Sequence, residues 1–380
     1  MYSVYFYGQM LVDTPRLRAY VEALKRSVKP GAVVLDLGCG PGFFALLACQ
    51  LGARRVYAVE PDDVIQIARE AAVANGYAER IEFFQNFSTE VTLPEPADII
   101  VSDLRGVLPW YQGNIPSIVD ARTRLLASRG VLIPQRDVLW VSVVETVERY
   151  TELVGPWERS DVDISVAKRV VTNTWRKARI TPEQLLTTPV CCYKLDYNEI
   201  ETGDLEATAI LEANRSGTAH GFAVWFDSEL IDDVGFSNHP SEPELIYGQG
   251  FFPLPYPVEI EEGDRIELSL KADLVRGDYL WRWESTIRAG ESSQPRASFK
   301  QSTLYGVPLS PGKLRKQSAT YRPTLTEAGQ IRSFIMESMT GDNTLEEIAL
   351  NLVKRFPTRY ADWESALNEV TAVSLEFGKD

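Results

Sequence analysis

The sequence DLGCGPG at residues 36–42 decides the fold of this chain. An apolar run at 33–35 precedes it and a helical pattern at 43–51 follows it, so we predict a turn between a buried strand and a helix. Glycines let the backbone approach a ligand closely, and the start of a helix presents unpaired N–H groups to a carboxylate or phosphate. The pattern therefore predicts a ligand site at this turn.

The spacing of the glycines separates two classes of cofactor. A dinucleotide turn has the pattern G-x-G-x-x-G, whereas this turn has G-x-G-x-G after Asp36. Glu60 ends the next predicted strand, where a carboxylate can accept hydrogen bonds from both hydroxyls of a ribose. We therefore predict an S-adenosylmethionine site that includes Asp36, Gly38, Gly40 and Glu60, and the pattern disfavours a nicotinamide dehydrogenase.

The chain divides into regions with different patterns. Short apolar strands alternate with helical patterns over residues 1–137, which predicts a Rossmann-like α/β domain whose parallel sheet is covered by helices. From 138 to 304, β-forming runs bounded by turns repeat, which predicts an antiparallel β-barrel domain. Residues 300–322 hold five basic residues and no acid, and we predict a linker at 305–322. Three amphipathic patterns predict a small helical C-terminal module at 323–380.

Two capping pairs mark helix starts in the C-terminal module. Thr324 with Glu327, and Thr344 with Glu347, have the S/T-x-x-E spacing of a capping box. Each pair precedes apolar residues that share one helical face. We therefore predict that two of the helices begin at these pairs.

Charge and composition exclude several classes of protein. The 380 residues include 53 acids and 39 Lys plus Arg, which give a formal net charge of -14 and argue against a nucleic-acid partner. The two histidines and four cysteines lack the spacing of a metal site, so no metal is predicted. Neither a signal peptide nor a membrane-spanning helix is indicated, and we expect a cytoplasmic protein without a membrane partner.

Residues 1 to about 304 resemble the protein arginine methyltransferase family. The motif MLVD at 10–13, followed by Arg16, is similar to the helix that precedes the glycine turn in that family. The motif GARRV at 52–56 also follows the family pattern. Aromatic residues near the N-terminus, beginning with Tyr2, resemble a segment that folds over the cofactor.

The resemblance implies an enzyme that transfers a methyl group from S-adenosylmethionine to a nitrogen of a peptide or protein. By this resemblance, Arg16 would bind the carboxylate of the methionyl group and Glu60 would hold the ribose. The loop at 88–94 is similar to the adenine-side loop of the family, which implies cofactor contacts from Ser88 and Glu90.

The substrate loop at residues 102–112, which reads SDLRGVLPWYQ, departs from the family. Family members flank the target guanidinium with two glutamates, because paired carboxylates orient it and one can take up its proton. In this chain the first acid is Asp103 and the second position is Gln112, which cannot accept a proton. Arg105 adds a positive charge, and LIY at 245–247 replaces the Thr-His-Trp of the family.

Two interpretations of the substrate loop stay open. In the first, Asp103 and Gln112 still hold an arginine or another cationic amine, with weaker proton removal. In the second, Arg105 anchors a substrate carboxylate, and a near-neutral nitrogen or oxygen of a non-arginine small molecule or peptide group is methylated without a strong base. Trp110 and Tyr111 are predicted to line the pocket. A scaffold that keeps the fold without catalysis is a further alternative, since the second acid is lost.

Resemblance and charge also predict partners. Residues 150–186 correspond to the dimerisation arm of the family, which implies a homodimer. Residues 227–267 contain eleven acids and one base, and an acidic surface would attract a basic peptide or protein substrate. The motif TLEEIA at 344–349 is similar to PqqD-like peptide-binding domains, which implies that a ribosomally made peptide is presented to the active site.

Overall fold

The structure is a computed structural model that describes residues 3–158, 161–290 and 292–379. Tyr2, which the resemblance assigns to a segment over the cofactor, lies outside the described residues. The chain forms two compact units, Met1–Pro308 and Leu309–Asp380. The boundary between the two units falls inside the range 305–322, for which we predict a linker.

A five-stranded parallel sheet forms the first half of the first unit, as the alternating pattern predicts. Its order is β3-β2-β1-β4-β5, and its strands are β1 (Val33–Leu37), β2 (Arg55–Val59), β3 (Ile81–Phe84), β4 (Ala97–Ser102) and β5 (Leu126–Ile133). The helices of this half are α1 (Val4–Val12), α2 (Thr14–Ser27), α3 (Phe43–Gln50), α4 (Ile65–Ala74) and α5 (Asn114–Arg124).

The strand order reverses at β1, which pairs with β2 on one side and with β4 on the other. Leu35 lies opposite both Tyr57 and Ile100 in these pairs. In open parallel sheets, ligands bind beyond the carboxyl ends of the strands at such a reversal. The glycine turn after β1, Glu60 after β2 and Asp103 after β4 therefore meet at one edge of the sheet.

Two antiparallel sheets form the second half of the first unit. One has the order β7-β12-β10-β6-β8 with β11 paired to β10, and the other has the order β15-β14-β13-β9. The strands are β6 (Arg136–Val144), β7 (Arg176–Ala178), β8 (Val190–Asp196), β9 (Leu205–Glu212), β10 (Gly217–Ile231), β11 (Val234–Ser237), β12 (Gln249–Ile260), β13 (Arg265–Val275), β14 (Asp278–Arg288) and β15 (Pro295–Ser302). Helices α6 (Val147–Val154) and α7 (Lys168–Val171) lie between β6 and β7.

Aromatic side chains join the two antiparallel sheets. Phe252 of β12 stacks on Trp175 with 5.5 Å between ring centroids, and it meets Trp281 and Trp283 of β14 edge-on at 5.4 Å. Large aromatic side chains bury much apolar area, so this cluster stabilises the contact between the sheets. The antiparallel arrangement confirms the fold class predicted for this half.

The sequence pattern did not predict two elements of the half that contains the parallel sheet. Helix α5 has Pro116 in its first turn and buries Asn114 beside apolar residues, so its apolar periodicity is weak. Strand β5 is interrupted by exposed Arg129 and by Gly130, which is half-buried. Both elements are established by their contacts with β4 rather than by local propensity.

The second unit contains α8 (Pro311–Lys316), α9 (Glu327–Ser338), α10 (Leu345–Arg355) and α11 (Trp363–Phe377). Thr344 and Glu347 form the predicted capping box of α10. The predicted start at Thr324 is wrong, because the side chain of Thr326 accepts the hydrogen bond from Gly329 N at 3.2 Å and caps α9. The buried side chains of α9, α10 and α11 form a core of their own, which includes Ile335.

Helix length in the described residues bears on membrane insertion. The longest helix, α11, has 15 residues. A bilayer span needs about 20 apolar residues. None of the helices described is long and apolar enough to cross a membrane.

Replacement of Gly42 should destabilise the first unit strongly. Gly42 is the N-cap of α3 and has a φ of 87°, and an added Cβ would lie 2.7 Å from the Cβ of Ala68 on α4. Gly42→Ala should lower the free energy of unfolding by about 3 kcal/mol, from backbone strain plus overpacking. Gly31→Ala is the control, because Gly31 also has a φ of 87° but has nothing within 4 Å of the added atom. Equal losses in urea unfolding would contradict the packing role of Gly42.

Candidate active site

A cavity of about 350 Å³ lies at the carboxyl ends of β1, β2 and β4. Its lining includes residues 37–41 of the glycine turn, Glu60, Asp103, Arg16 and Ser88. Cofactor sites of this size commonly occur at the reversal point of a parallel sheet. The structure therefore brings the predicted cofactor residues together with the predicted substrate loop.

The carboxylate of Glu60 is held by two backbone N–H groups. Gly40 N donates to Oε2 and Asp62 N donates to Oε1, each at 3.0 Å. Burial raises the pKa of Glu60 above its usual value, while these two N–H groups oppose the shift. Each carboxylate oxygen has two lone pairs, so both can accept a further hydrogen bond from a ligand.

The close approach of α1 to the turn explains why residue 40 is a glycine. Gly40 has a φ of 50°, and a Cβ at this position would lie 2.7 Å from the ring of Tyr7. Tyr7, Met10 and Leu11 of α1 line the same cavity. The N-terminal helix thus packs against the glycine turn, and a contact between this segment and a cofactor stays a prediction.

Asp36 lies beneath the turn and is absent from the described residues that line the cavity. Its side chain is 1% exposed, and Oδ2 accepts a hydrogen bond from Ala45 N at 2.8 Å. No partner for Oδ1 is found in the described part of the chain. Burial raises the pKa of Asp36 to about 7, with a further contribution from Glu60. The carboxyl group thus connects β1 to the first turn of α3.

Arg16 of α2 reaches across the cavity to the substrate loop. Its Nε and Nη2 both donate to Asp103 Oδ2 at 2.7 Å, and its Nη1 donates to the carbonyl oxygen of Met10 at 2.9 Å. A guanidinium has five N–H groups, and these contacts use three of them. Arg16 can therefore hold Asp103 and still donate to a ligand carboxylate.

Asp103 is the centre of a buried polar cluster. The hydroxyl of Tyr247 lies 2.7 Å from both carboxylate oxygens, and Arg105 Nε donates to Oδ1 at 3.3 Å. Burial alone would raise the pKa of Asp103, but the charges of Arg16 and Arg105 and the hydroxyl of Tyr247 lower it overall. Asp103 is therefore ionised at neutral pH and is a weak proton acceptor.

Arg105 is anchored in the interior by polar partners. Its Nη1 donates to Asp137 Oδ1 at 2.8 Å and to Ser228 Oγ at 2.6 Å. Asp137 and Ser228 lie opposite each other on β6 and β10. The Nη2 of Arg105 donates to the hydroxyl of Tyr20 on α2. Although Arg105 borders the cavity, its side chain is only 1% exposed.

Three aromatic rings surround the same guanidinium. Its central carbon lies 5.4 Å from the ring centroid of Phe226, 5.3 Å from that of Phe236 and 6.0 Å from that of Tyr247. Cation–π attraction strengthens when a site is desolvated, so these rings favour the buried cation. The structure thus places Arg105 between the parallel sheet and the antiparallel sheets.

The other residues predicted on the acceptor side have different surroundings. Tyr111 is half-buried and lines the cavity, and Gln112 lines it as an exposed residue with a φ of 42°. Trp110 is buried against Tyr193 of β8, with 5.4 Å between ring centroids, and is not among the described cavity residues. Its role in substrate binding stays a prediction.

On the adenine side, Ser88 is buried and lines the cavity. Arg124 of α5 donates to the carbonyl oxygens of Ser88 and Val91 at 3.0 Å and so fixes this loop. Glu90 is exposed and is not one of the cavity residues in the described chain. The role predicted for Glu90 stays a prediction.

Two residues of the site, Tyr247 beside Asp103 and Asn114 in the cavity lining, were not predicted from the sequence. Tyr247 is separated from Asp103 by more than one hundred residues, and the sequence shows only that it stands in a substituted loop. Asn114 is 2% exposed, and its Nδ2 donates to the carbonyl oxygen of Pro109 at 2.7 Å. Asn114 begins α5, which the pattern did not resolve, so no sequence signal pointed to it.

Family models match both halves of the first unit. A model described as "Arginine methyltransferase oligomerization subdomain" matches residues 135–283. A model described as "Ribosomal protein L11 methyltransferase (PrmA)" matches residues 17–152. The two matches overlap at residues 135–152, where the antiparallel sheets begin with β6.

Curated relatives and a solved structure agree with these matches. The chain is 30% identical over 270 residues to an arginine N(omega)-methyltransferase of Streptomyces achromogenes subsp. streptozoticus, covering 69% of this chain and 74% of the relative. It is 31% identical over 232 residues to the probable protein arginine N-methyltransferase 6 of Arabidopsis thaliana, covering 58% of this chain but only 53% of that relative. The crystal structure of Arabidopsis thaliana protein arginine methyltransferase 10 superposes with a TM-score of 0.70 at 24% identity, over 79% of this chain and 97% of that one.

Removal of the Asp36 carboxyl group should change the pH dependence of stability. Folded Asp36, with a pKa of about 7, binds its proton more tightly than unfolded Asp36, whose pKa is about 4. The free energy of unfolding therefore falls as pH rises between these two values. Asp36→Asn should remove this part of the slope in urea titrations. An unchanged slope in Asp36→Asn would contradict the effect of burial.

Removal of the Arg105 charge should reveal the energetic coupling between Arg105 and Asp137. Arg105→Met leaves the buried carboxylate of Asp137 without its cation, which should lower the free energy of unfolding by about 3–5 kcal/mol. The double variant Arg105→Met with Asp137→Asn should recover at least about 1 kcal/mol of this loss. Urea unfolding of the single and double variants measures the coupling, and additive losses would show that the pair is not coupled.

Proposed function

Because the chain belongs to the protein arginine methyltransferase family, we propose that it transfers a methyl group from S-adenosylmethionine to a nitrogen of a peptide or protein. One observation carries the proposal above all. A single cavity joins the glycine turn and Glu60 on one side to Arg16 and Asp103 on the other. This arrangement suits a cofactor with a ribose at one end and a charged amino-acid group at the other.

The polar groups of the cavity fit this cofactor. Glu60 has its carboxylate oriented by backbone N–H groups, and both oxygens keep lone pairs for ribose hydroxyls. Arg16 keeps N–H groups that can bind the methionyl carboxylate. Gly38, Gly40 and Ser88 would complete the cofactor contacts, while Asp36 would act from beneath the turn by holding α3. Apolar side chains such as Phe44 line the remaining wall.

When bound, S-adenosylmethionine supplies an electrophilic methyl group on a positively charged sulfur. The chain has to bind the acceptor and align its nitrogen with that methyl group, since positioning contributes much of the rate in such transfers. We assign the positioning of the acceptor to Tyr111, with Gln112 at the rim of the cavity, while Asp103 holds Arg16 and Arg105 in place beside them. The low pKa of Asp103 disfavours proton removal by this residue before transfer.

We also propose the partners of this enzyme. The match to the oligomerization subdomain supports assembly, and the proposed partner is a second copy that binds through residues 150–186. The exposed acids Glu242 and Glu244 lie in the loop that carries Tyr247, which supports a basic peptide or protein as substrate. We place the reaction in the cytoplasm, and residues 323–380 are proposed to present a peptide.

Cofactor binding tests the proposal directly. Isothermal titration with adenosylhomocysteine should show binding to the wild-type chain, and Glu60→Gln should weaken the affinity about 10- to 100-fold through lost charge-assisted hydrogen bonds. Glu70→Gln is the matched control, because Glu70 is exposed on α4 and does not line the cavity. An absence of binding to the wild-type chain at near-millimolar ligand would refute the proposed function.

A further inference from the structure

The hydrogen-bonding capacity of Asp103 is already filled within the chain. Arg16 Nε and Nη2 bind Oδ2, Arg105 Nε binds Oδ1, and the hydroxyl of Tyr247 lies against both oxygens. A carboxylate has about four lone-pair positions, and these four donors match that number. Asp103 therefore has no free edge on which an incoming guanidinium could form paired hydrogen bonds.

Arg105 is fixed next to this carboxylate and cannot readily turn away. Its guanidinium is tied to Asp137, Ser228 and Tyr20, and its faces meet the aromatic rings described above. Moving it would leave the buried Asp137 without a cation, which is strongly unfavourable. The positive charge of Arg105 is therefore a permanent part of the acceptor end of the cavity.

The other side chains at this end are uncharged. Tyr111, Gln112, Asn114 and Ser117 line the cavity beside Asp103. In the described lining, the remaining carboxylates are those of Glu60 and Asp62, which follow β2 on the ribose side. A cationic acceptor would thus meet Arg16 and Arg105, whose counter-ions Asp103 and Asp137 are already engaged, and would find no free carboxylate at this end to pair with.

From this charge arrangement, and on the basis of the proposed function, we infer that the acceptor is an uncharged nitrogen nucleophile, namely the imidazole of a histidine in a peptide. The guanidinium of arginine and the ammonium of lysine keep their protons at neutral pH. The amide nitrogens of Asn and Gln share their lone pairs with the carbonyl group. Imidazole, with an ordinary pKa of about 6.5, is the remaining nitrogen side chain that is largely neutral with a free lone pair.

The transfer step then needs no strong base. The lone pair of the unprotonated imidazole nitrogen forms a bond to the methyl carbon, and the carbon–sulfur bond breaks with its electrons on sulfur. The positive charge passes from sulfur to the imidazole ring, so the charge of the site does not change. The ring then loses the proton of its other nitrogen to water.

Degenerate peptide pools test the inference on the full chain. The pools differ only at one fixed central residue, which is His, Arg or Lys, and methylation is read by mass with S-adenosylmethionine present. The wild-type chain should modify the His pool at least about 100-fold faster than the Arg or Lys pool. A second measurement is calorimetric binding of N-acetyl-histidine amide and N-acetyl-arginine amide in the presence of adenosylhomocysteine. The histidine compound should bind more tightly.

A redesigned acceptor end should reverse this preference. The triple variant Arg105→Met, Asp137→Asn and Gln112→Glu removes the fixed cation with its counter-ion and adds a free carboxylate. Its ratio of His-pool to Arg-pool methylation should fall by at least about 10-fold. The control pair Arg136→Met with Asp196→Asn removes a more exposed ion pair with the same substitutions and should keep the wild-type ratio.

Each outcome tests either the inferred histidine acceptor or the proposed methyltransferase function. Equal or faster methylation of the Arg pool by the wild-type chain, or tighter binding of the arginine compound, overturns the inference and leaves the methyltransferase function in place. Binding of adenosylhomocysteine without modification of the His pool also overturns the inference. A failure to bind adenosylhomocysteine overturns the proposed function itself, so the two failures are distinguishable.

Discussion

The rest of the first unit depends on a buried cation that must be paired. Arg105 follows β4 in the parallel sheet, yet its partners lie on α2, on β6 and on β10. A desolvated charge without a counter-ion costs several kcal/mol, so these elements have to converge on the guanidinium. This requirement fixes the parallel sheet against the antiparallel sheets at the edge where the cavity lies. It also positions Asp103, which lies two residues before Arg105 in the sequence.

The same pairing separates the two ends of the cavity by their chemistry. At the ribose end, Glu60 is oriented by backbone N–H groups and keeps lone pairs for a ligand. At the acceptor end, Asp103 has its lone pairs satisfied by Arg16, Arg105 and Tyr247. The cofactor end is thus open to hydrogen bonding, whereas the acceptor end is internally saturated. In a loop that resembles one for guanidinium binding, the charged groups of Asp103 and Arg105 are thus bound to other parts of the chain.

Prediction from the sequence succeeded where local pattern and site chemistry coincide. The glycine turn and Glu60 belong to strands with strong apolar runs, and their places at the carboxyl ends follow from the parallel topology. The capping box at Thr344 is likewise a local device. Thr324 has the same spacing but lies two residues before the true cap, because one such pair does not distinguish between nearby threonines. Helix α5 depends on tertiary contacts, so Asn114 at its start was missed.

The order of residues alone established the sheet, the cofactor turn and the loss of one acid at Gln112, because each is a matter of residue type at short range. The surroundings of Asp103 and Arg105 were decided by tertiary structure. The loop sequence shows one acid and one base two residues apart. It does not show that two residues distant in the chain are their hydrogen-bond partners, namely Tyr247 for Asp103 and Asp137 for Arg105. Whether a carboxylate is free or satisfied depends on neighbours that only folding brings together, and the charge offered to a substrate depends on them too.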